Sequence, residues 1–177
     1  GVDRDAHMYM LVINTDEMEL AGSESMPTVD LNVTTKSGRI TTYTSKVESD
    51  GLDFYGYWPG VNNSNVTVTQ ALGPGGQVKL LYSIPDVRTF DSVRINMPEN
   101  LDDDWQIKGI YLVKVEKVGP RFAVWENIFK GEKFITDRRY DRTVIGTQMT
   151  QQITEPILLQ PGDSKDIAFE NAENPIV

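Results

Sequence analysis

Apolar and polar residues alternate with a period of two along much of the chain. Val29, Leu31 and Val33, for example, are separated by Asp30 and Asn32. Because successive side chains of a β-strand point to opposite faces, this alternation predicts a strand with one buried face. The same pattern recurs in the segments 66–69 and 77–82, and Phe90 and Val93 lie in the next candidate strand.

Segment 105–117 is apolar on both sides of the alternation. Ile110 and Leu112 fall on one face, whereas Tyr111 and Val113 fall on the other. A strand that is apolar on both faces is typical of the centre of a sheet. This segment is therefore predicted to be a central strand.

Turn-forming residues separate the strands at intervals of about 8–14 residues, which is typical of antiparallel sandwiches and barrels. They lie at Ser37-Gly38, Asp50-Gly51, Pro59-Gly60, Gly73–Gly76, Pro98–Asn100, Gly119-Pro120 and Pro161–Asp163. The sequence predicts an all-β protein, an antiparallel β-sandwich of about seven to ten strands. We expect residues 1–170 to form this single domain and the acidic, proline-bearing residues 171–177 to be a linker.

The inward-facing residues of these strands are expected to form one core, with Trp105 covering one end. The core residues predicted from the alternation are Val29, Leu31, Val33, Val66, Val68, Leu80, Ile107, Ile110, Leu112 and Val113.

Composition narrows the chemistry that the chain can perform. Its 177 residues carry a formal net charge of −9, a sign that repels nucleic acid. There is no cysteine and one histidine, His7, so thiol catalysis and multi-histidine metal sites are excluded. No apolar run approaches the ~18 residues of a transmembrane helix. No motif of a hydrolase elbow, a phosphate-binding loop or a dinucleotide fold occurs, and we expect no enzymatic activity.

Residues 8–130 carry short motifs in a characteristic order. An acidic, glycine-bearing loop at 15–25 follows the first predicted strand, the stretch Asp104–Ile110 reads Asp-Trp followed by an apolar strand, and Arg121-Phe122 precedes Trp125. In these features the chain resembles the PLAT/LH2 family of β-sandwich modules. The resemblance implies a non-catalytic module that contacts lipid or protein partners and is attached to another domain.

Acidic loops provide possible ligands for calcium, which binds six to eight oxygen atoms. Asp50 and Asp53 flank a glycine turn, and Asp102 and Asp103 precede Trp105. If the sandwich brings these loops to one end, the four carboxylates form a possible calcium site. Solvated carboxylates at loop tips explain the same pattern equally simply.

The richest aromatic cluster lies at 54–58, next to a run of asparagines. Tyr55, Tyr57 and Trp58 offer flat faces for sugar rings, and Asn62 and Asn63 offer hydrogen-bonding amides. An exposed cluster of this kind would bind carbohydrate, whereas a buried one would close the edge of the sandwich.

Two functions remain open from the sequence. The first is a non-catalytic interaction module that engages a protein or a lipid surface, as part of a larger bacterial protein that is secreted or lies at the cell surface. The absence of a leader and the abrupt ends of the sequence lead us to expect an excised piece of such a protein. The alternative is a carbohydrate-binding module that uses the Tyr55–Trp58 cluster.

Overall fold

The computed structural model describes residues 7–18, 20–22, 26–47, 55–56, 72–99, 102–120, 132–137, 142–152 and 155–169. These residues contain no helix and eleven strands. In chain order the strands are β1 (His7–Thr15), β2 (Thr28–Thr35), β3 (Ile40–Lys46), β4 (Tyr55–Gly56), β5 (Gln77–Ile84), β6 (Val87–Asn96), β7 (Trp105–Pro120), β8 (Glu132–Asp137), β9 (Arg142–Gln152), β10 (Ile157–Leu159) and β11 (Ser164–Ala168).

The strands form two sheets. The larger sheet has the order β4-β5-β1-β7-β9-β8, and β10 also pairs with β7. The smaller sheet has the order β11-β6-β2-β3. Within the described residues the pairing is antiparallel except for the short contact between β4 and β5. The predicted all-β sandwich is confirmed. Its strand number exceeds the predicted range because short strands such as β4 and β10 add to the edges of β5 and β7.

β7 is the central strand that its sequence predicts. It pairs with β1 along one edge and with β10 and then β9 along the other. Ile110 and Leu112 lie in the core between the sheets, whereas Tyr111 and Val113 are buried on the opposite face. One expectation about this strand is wrong, because it continues through Gly119-Pro120, which the sequence marks as a turn.

The core lies between the two sheets, and the predicted core residues within the described part of the chain are completely buried. Val66 and Val68 lie outside the described residues. Tyr9 and Phe90 join the sheets through an edge-to-face contact with ring centroids 4.8 Å apart. Trp105 is the largest fully buried side chain of the described core, which confirms its structural role.

Candidate functional site

The predicted carbohydrate site falls largely outside the described residues. Tyr57, Trp58, Asn62 and Asn63 all lie there, and of Tyr55 the structure describes only the backbone, in β4. The aromatic site therefore stays a prediction.

The predicted calcium site is described in part. Asp50 and Asp53 lie outside the described residues, whereas Asp102 is exposed and Asp103 is half-buried just before β7. Among the residues that the structure describes, no group of three or more His, Asp or Glu side chains is placed to hold a metal ion. Calcium binding stays a prediction.

The first half of the loop between β1 and β2 is attached at two points to one residue of the central strand. The backbone N–H of Asp16 donates to the carbonyl of Gln106 at 2.9 Å, and the N–H of Gln106 donates to the carbonyl of Ala21, also at 2.9 Å. Within the loop, the N–H of Ala21 donates to the carbonyl of Met18. The N–H of Gly75 adds a bond to the carbonyl of Asp16. The base of the loop is therefore fixed to the large sheet by backbone hydrogen bonds.

Close packing also fixes this loop just after Ala21. A Cβ atom added to Gly22 would lie 2.6 Å from the carbonyl oxygen of Leu72 and 3.0 Å from Cα of Gly73. Because both are backbone atoms, no side-chain rotation can make room. The glycine is required for the close approach of the 72–76 turn to the loop.

The Asp16 carboxylate is the polar centre of the loop. It accepts hydrogen bonds from the side-chain Nε2 of Gln106 and from the backbone N–H of Glu17, both at 2.7 Å. The bond from Gln106 contributes most to lowering the pKa of Asp16 below its usual 3.8; burial opposes this, and Lys108 adds a weaker attraction. The ionised form of Asp16 is thus the form that the folded loop favours.

This lowered pKa predicts a pH dependence of stability. A carboxyl group whose pKa is lower in the folded state stabilises the fold above its unfolded pKa, and this contribution is lost as the pH falls through the folded value. We expect the difference in free energy of unfolding between the wild type and Asp16→Asn to be constant near neutral pH. It should shrink below about pH 4. Urea unfolding at several pH values measures it, and a difference that stays constant into acid would contradict the prediction.

Two apolar side chains of the same loop are exposed to solvent. Met18 is 61% exposed and Leu20 is 89% exposed. We call this pair the apolar tip. Leu20 has a backbone φ of +71°, a conformation that costs roughly 1–2 kcal/mol for a residue with a Cβ. A rigid base thus holds a large apolar side chain in solvent, in an unfavourable backbone conformation.

The apolar tip continues onto the surface of the large sheet. The sulfur of Met18 lies 3.5 Å from Nε2 of Gln106. Gln106 is paired in register with Leu158 of β10, which is 50% exposed. Because residues paired across neighbouring strands share a face, Leu158 extends the exposed apolar surface beside Gln106.

The charges around the tip are mainly acidic. The Nζ atom of Lys108 lies 3.3 Å from Oε1 of Glu17, and both side chains are exposed. An exposed ion pair of this kind contributes little to stability. Together, Asp16, Glu17 and Lys108 leave one net negative charge beside Met18.

The sequence predicts an acidic loop at this position, but it did not lead us to predict the apolar tip. Asp16 and Glu17 mark it as acidic, and acidic loops suggest calcium. The sequence does contain a feature that predicts the exposure of Met18 and Leu20. Both are apolar residues among charged ones, in a segment that is not predicted to be a strand and therefore has no buried face.

No protein-family model and no curated protein matches the chain. The solved structures that are similar to it over most of its length include two toxins. The alpha-toxin of Clostridium perfringens from avian strain SWCP is 12% identical over 94% of this chain, with a TM-score of 0.45. The alpha toxin of Clostridium absonum is 10% identical over 93% of this chain, also with a TM-score of 0.45. The chain spans 32% of the length of each toxin chain.

The described part of the chain contains no helix long and apolar enough to cross a membrane.

Proposed function

We propose that the chain is a non-catalytic interaction module that docks onto a protein partner through the apolar tip. The observation that carries the proposal is the exposure of Leu20 in a left-handed backbone conformation on a loop fixed to the central strand. Strain of this kind persists only where the surrounding structure enforces it, and it is concentrated at functional sites. The PLAT/LH2-like motifs of the sequence support the same class of module.

The size of the tip favours a protein over a membrane. Full burial of an aliphatic side chain contributes about 1.5–3 kcal/mol, so Met18 and Leu20, which are 61% and 89% exposed, together supply roughly 2–5 kcal/mol. That is a weak anchor for a bilayer, since even a myristoyl chain gives only marginal, reversible binding. In a protein pocket, by contrast, two anchors of this size form the centre of an interface whose rim supplies further contacts.

The negative charge of the chain also favours a protein partner over a membrane. The net charge of −9 and the Asp16 carboxylate, which is left after Glu17 pairs with Lys108, repel an anionic lipid surface. The same charges suit an apolar pocket with a basic rim, because complementary fields steer association. We therefore propose a protein partner of that chemistry, with the module belonging to a secreted or surface-exposed bacterial protein.

The test replaces Leu20 by asparagine, a polar residue that tolerates the left-handed conformation. We expect Leu20→Asn to keep or slightly raise the free energy of unfolding and to weaken partner binding by about tenfold or more. Ile40→Thr is the matched control, since Ile40 is also exposed, at 72%, but lies on β3. The immobilised wild type and both variants are compared for the proteins that they retain from a bacterial surface extract, and the affinity of each retained protein is measured.

The proposal requires proteins that the wild type and Ile40→Thr retain and that Leu20→Asn loses. Equal retention by all three would contradict it. Flotation of the wild type, but not of Leu20→Asn, with phosphatidylcholine vesicles would show a lipid partner in place of a protein.

A further inference from the structure

Met18 is the most exposed of the six methionines of the chain, all of which lie within the described residues. It is 61% exposed, against 39% for Met26, whereas Met10 and Met97 are buried. The two that are half-buried are Met8 and Met149. Because the chain has no cysteine, these thioethers are its only sulfur groups, and peroxides oxidise them readily. The fold therefore makes Met18 the methionine that is most accessible to an oxidant in solution.

One side-chain amide of the central strand contacts both Met18 and Asp16. Nε2 of Gln106 donates to Oδ2 of Asp16 at 2.7 Å and lies 3.5 Å from Sδ of Met18. An amide nitrogen carries two hydrogens, so one serves the carboxylate and the other points to the sulfur. A thioether is a weak acceptor, whereas a sulfoxide is polar and bears an oxygen that accepts strongly. The amide is therefore placed to bond the oxygen that oxidation adds to Met18.

Oxidation of a methionine by hydrogen peroxide needs no further reactant. The sulfur attacks one peroxide oxygen, so an S–O bond forms and the O–O bond breaks. The second oxygen leaves with both hydrogens as water, and the two electrons that the sulfur loses are gained by the peroxide. A dithiol reductase reverses the change, since the sulfoxide oxygen leaves as water while the dithiol becomes a disulfide. An apolar side chain thus becomes polar in a reversible way.

The free chain tolerates this change better than a docked one does. In the free chain the sulfoxide oxygen bonds to Gln106 on one side and to water on the other. An apolar pocket removes that water, and a polar group buried with part of its bonding capacity unsatisfied is unfavourable. Because Met18 is one of only two side chains in the apolar tip, its oxidation opposes docking directly.

We propose that Met18 is an oxidation site, and that its conversion to the sulfoxide weakens docking of the apolar tip. The inference rests on the proposed docking function and adds a reversible control to it. The contact with Gln106 keeps the oxidised side chain on the folded loop, so the change acts on binding and not on the stability of the sandwich.

The first test determines the order of oxidation in the folded chain. Hydrogen peroxide is added to the wild type, and mass spectrometry of its peptides locates each added oxygen over time. We expect Met18 to be oxidised first and Met26 second, while Met10 and Met97 stay unmodified as long as the chain is folded. Urea unfolding of the singly oxidised chain should match that of the reduced chain. Earlier oxidation of another methionine, or a clear loss of stability, would overturn the proposal.

The second test measures docking with the bacterial surface extract used for Leu20→Asn. The immobilised chain is oxidised and washed free of peroxide before the extract is added. We expect the affinity for the retained proteins to fall about tenfold and to recover after treatment with methionine sulfoxide reductases and a dithiol. Met18→Leu keeps an apolar side chain without sulfur, so its binding should not respond to peroxide. The matched control Met26→Leu should respond as the wild type does.

The outcomes separate this inference from the docking function. Equal affinity before and after oxidation of Met18, or an equal response of Met18→Leu and the wild type, would overturn the inference and leave docking intact. Retention of no protein by the reduced wild type would contradict the docking function, and with it the control by oxidation.

Discussion

Replacing Trp105 by alanine is expected to lower the free energy of unfolding by about 3–5 kcal/mol, which is the usual loss for a large aromatic residue removed from a core. Trp105 is completely buried at the start of the central strand. Its indole Nε1 also donates to Oγ1 of Thr15 at 2.8 Å, across the junction between β7 and β1. The variant therefore loses both packing and a buried hydrogen bond.

Two further variants divide this loss into its parts. Trp105→Phe retains a ring but not the donor, and Thr15→Val removes the acceptor. Chemical unfolding of these variants and of the double variant gives the energy of the hydrogen bond as a coupling term, which we expect to be about 1 kcal/mol. A loss below about 1 kcal/mol in Trp105→Ala would contradict the structural role of this residue.

Leu112→Ala is expected to cost about 2–5 kcal/mol, again measured by chemical unfolding. Leu112 lies in the middle of β7, opposite Leu11 on β1 and Thr150 on β9, and it is completely buried. Because strands border it on both sides, the structure around it cannot readily collapse into the cavity left by the truncation. The cost should therefore lie in the upper part of that range.

Leu158→Ala is the matched control for this experiment. It removes the same atoms from a leucine that is half-exposed on the short edge strand β10. We expect a loss below about 1 kcal/mol, because little apolar area returns to water. Similar losses at the two positions would show that Leu112 is not in the core.

The sequence was sufficient to predict the fold class because the alternation of apolar and polar residues with a period of two shows which face of each strand is buried. Val29, Leu31 and Val33 alternate with polar residues and are buried, and the two apolar faces of β7 are both covered. The order of strands was not predictable, since β1 pairs with β7 across a long separation in the chain. β8 was also missed, because adjacent Phe134 and Ile135 give no alternation. The tight turn at Pro85-Asp86 was missed as well, although proline followed by a residue with positive φ is a recognised turn pattern.

The candidate site was less predictable for a different reason. The exposure of Met18 and Leu20 depends on the path of the loop, and that path is set by bonds to Gln106, a residue distant in sequence. Leucine has no preference for the left-handed conformation that Leu20 adopts, so no local rule indicates it. By contrast, Gly38 and Gly162 were readable as turns because glycine favours the positive φ that both adopt.

The attachment of the loop to Gln106 at Asp16 and Ala21 has a consequence for dynamics. The amide proton of this residue is protected by the carbonyl of Ala21, which belongs to the loop and not to a strand. Its exchange with solvent deuterium should therefore report the opening of the loop, while the neighbouring amide of Ile107 reports the opening of the sheet. Comparing these two exchange rates with and without a bound partner would measure how strongly docking closes the loop.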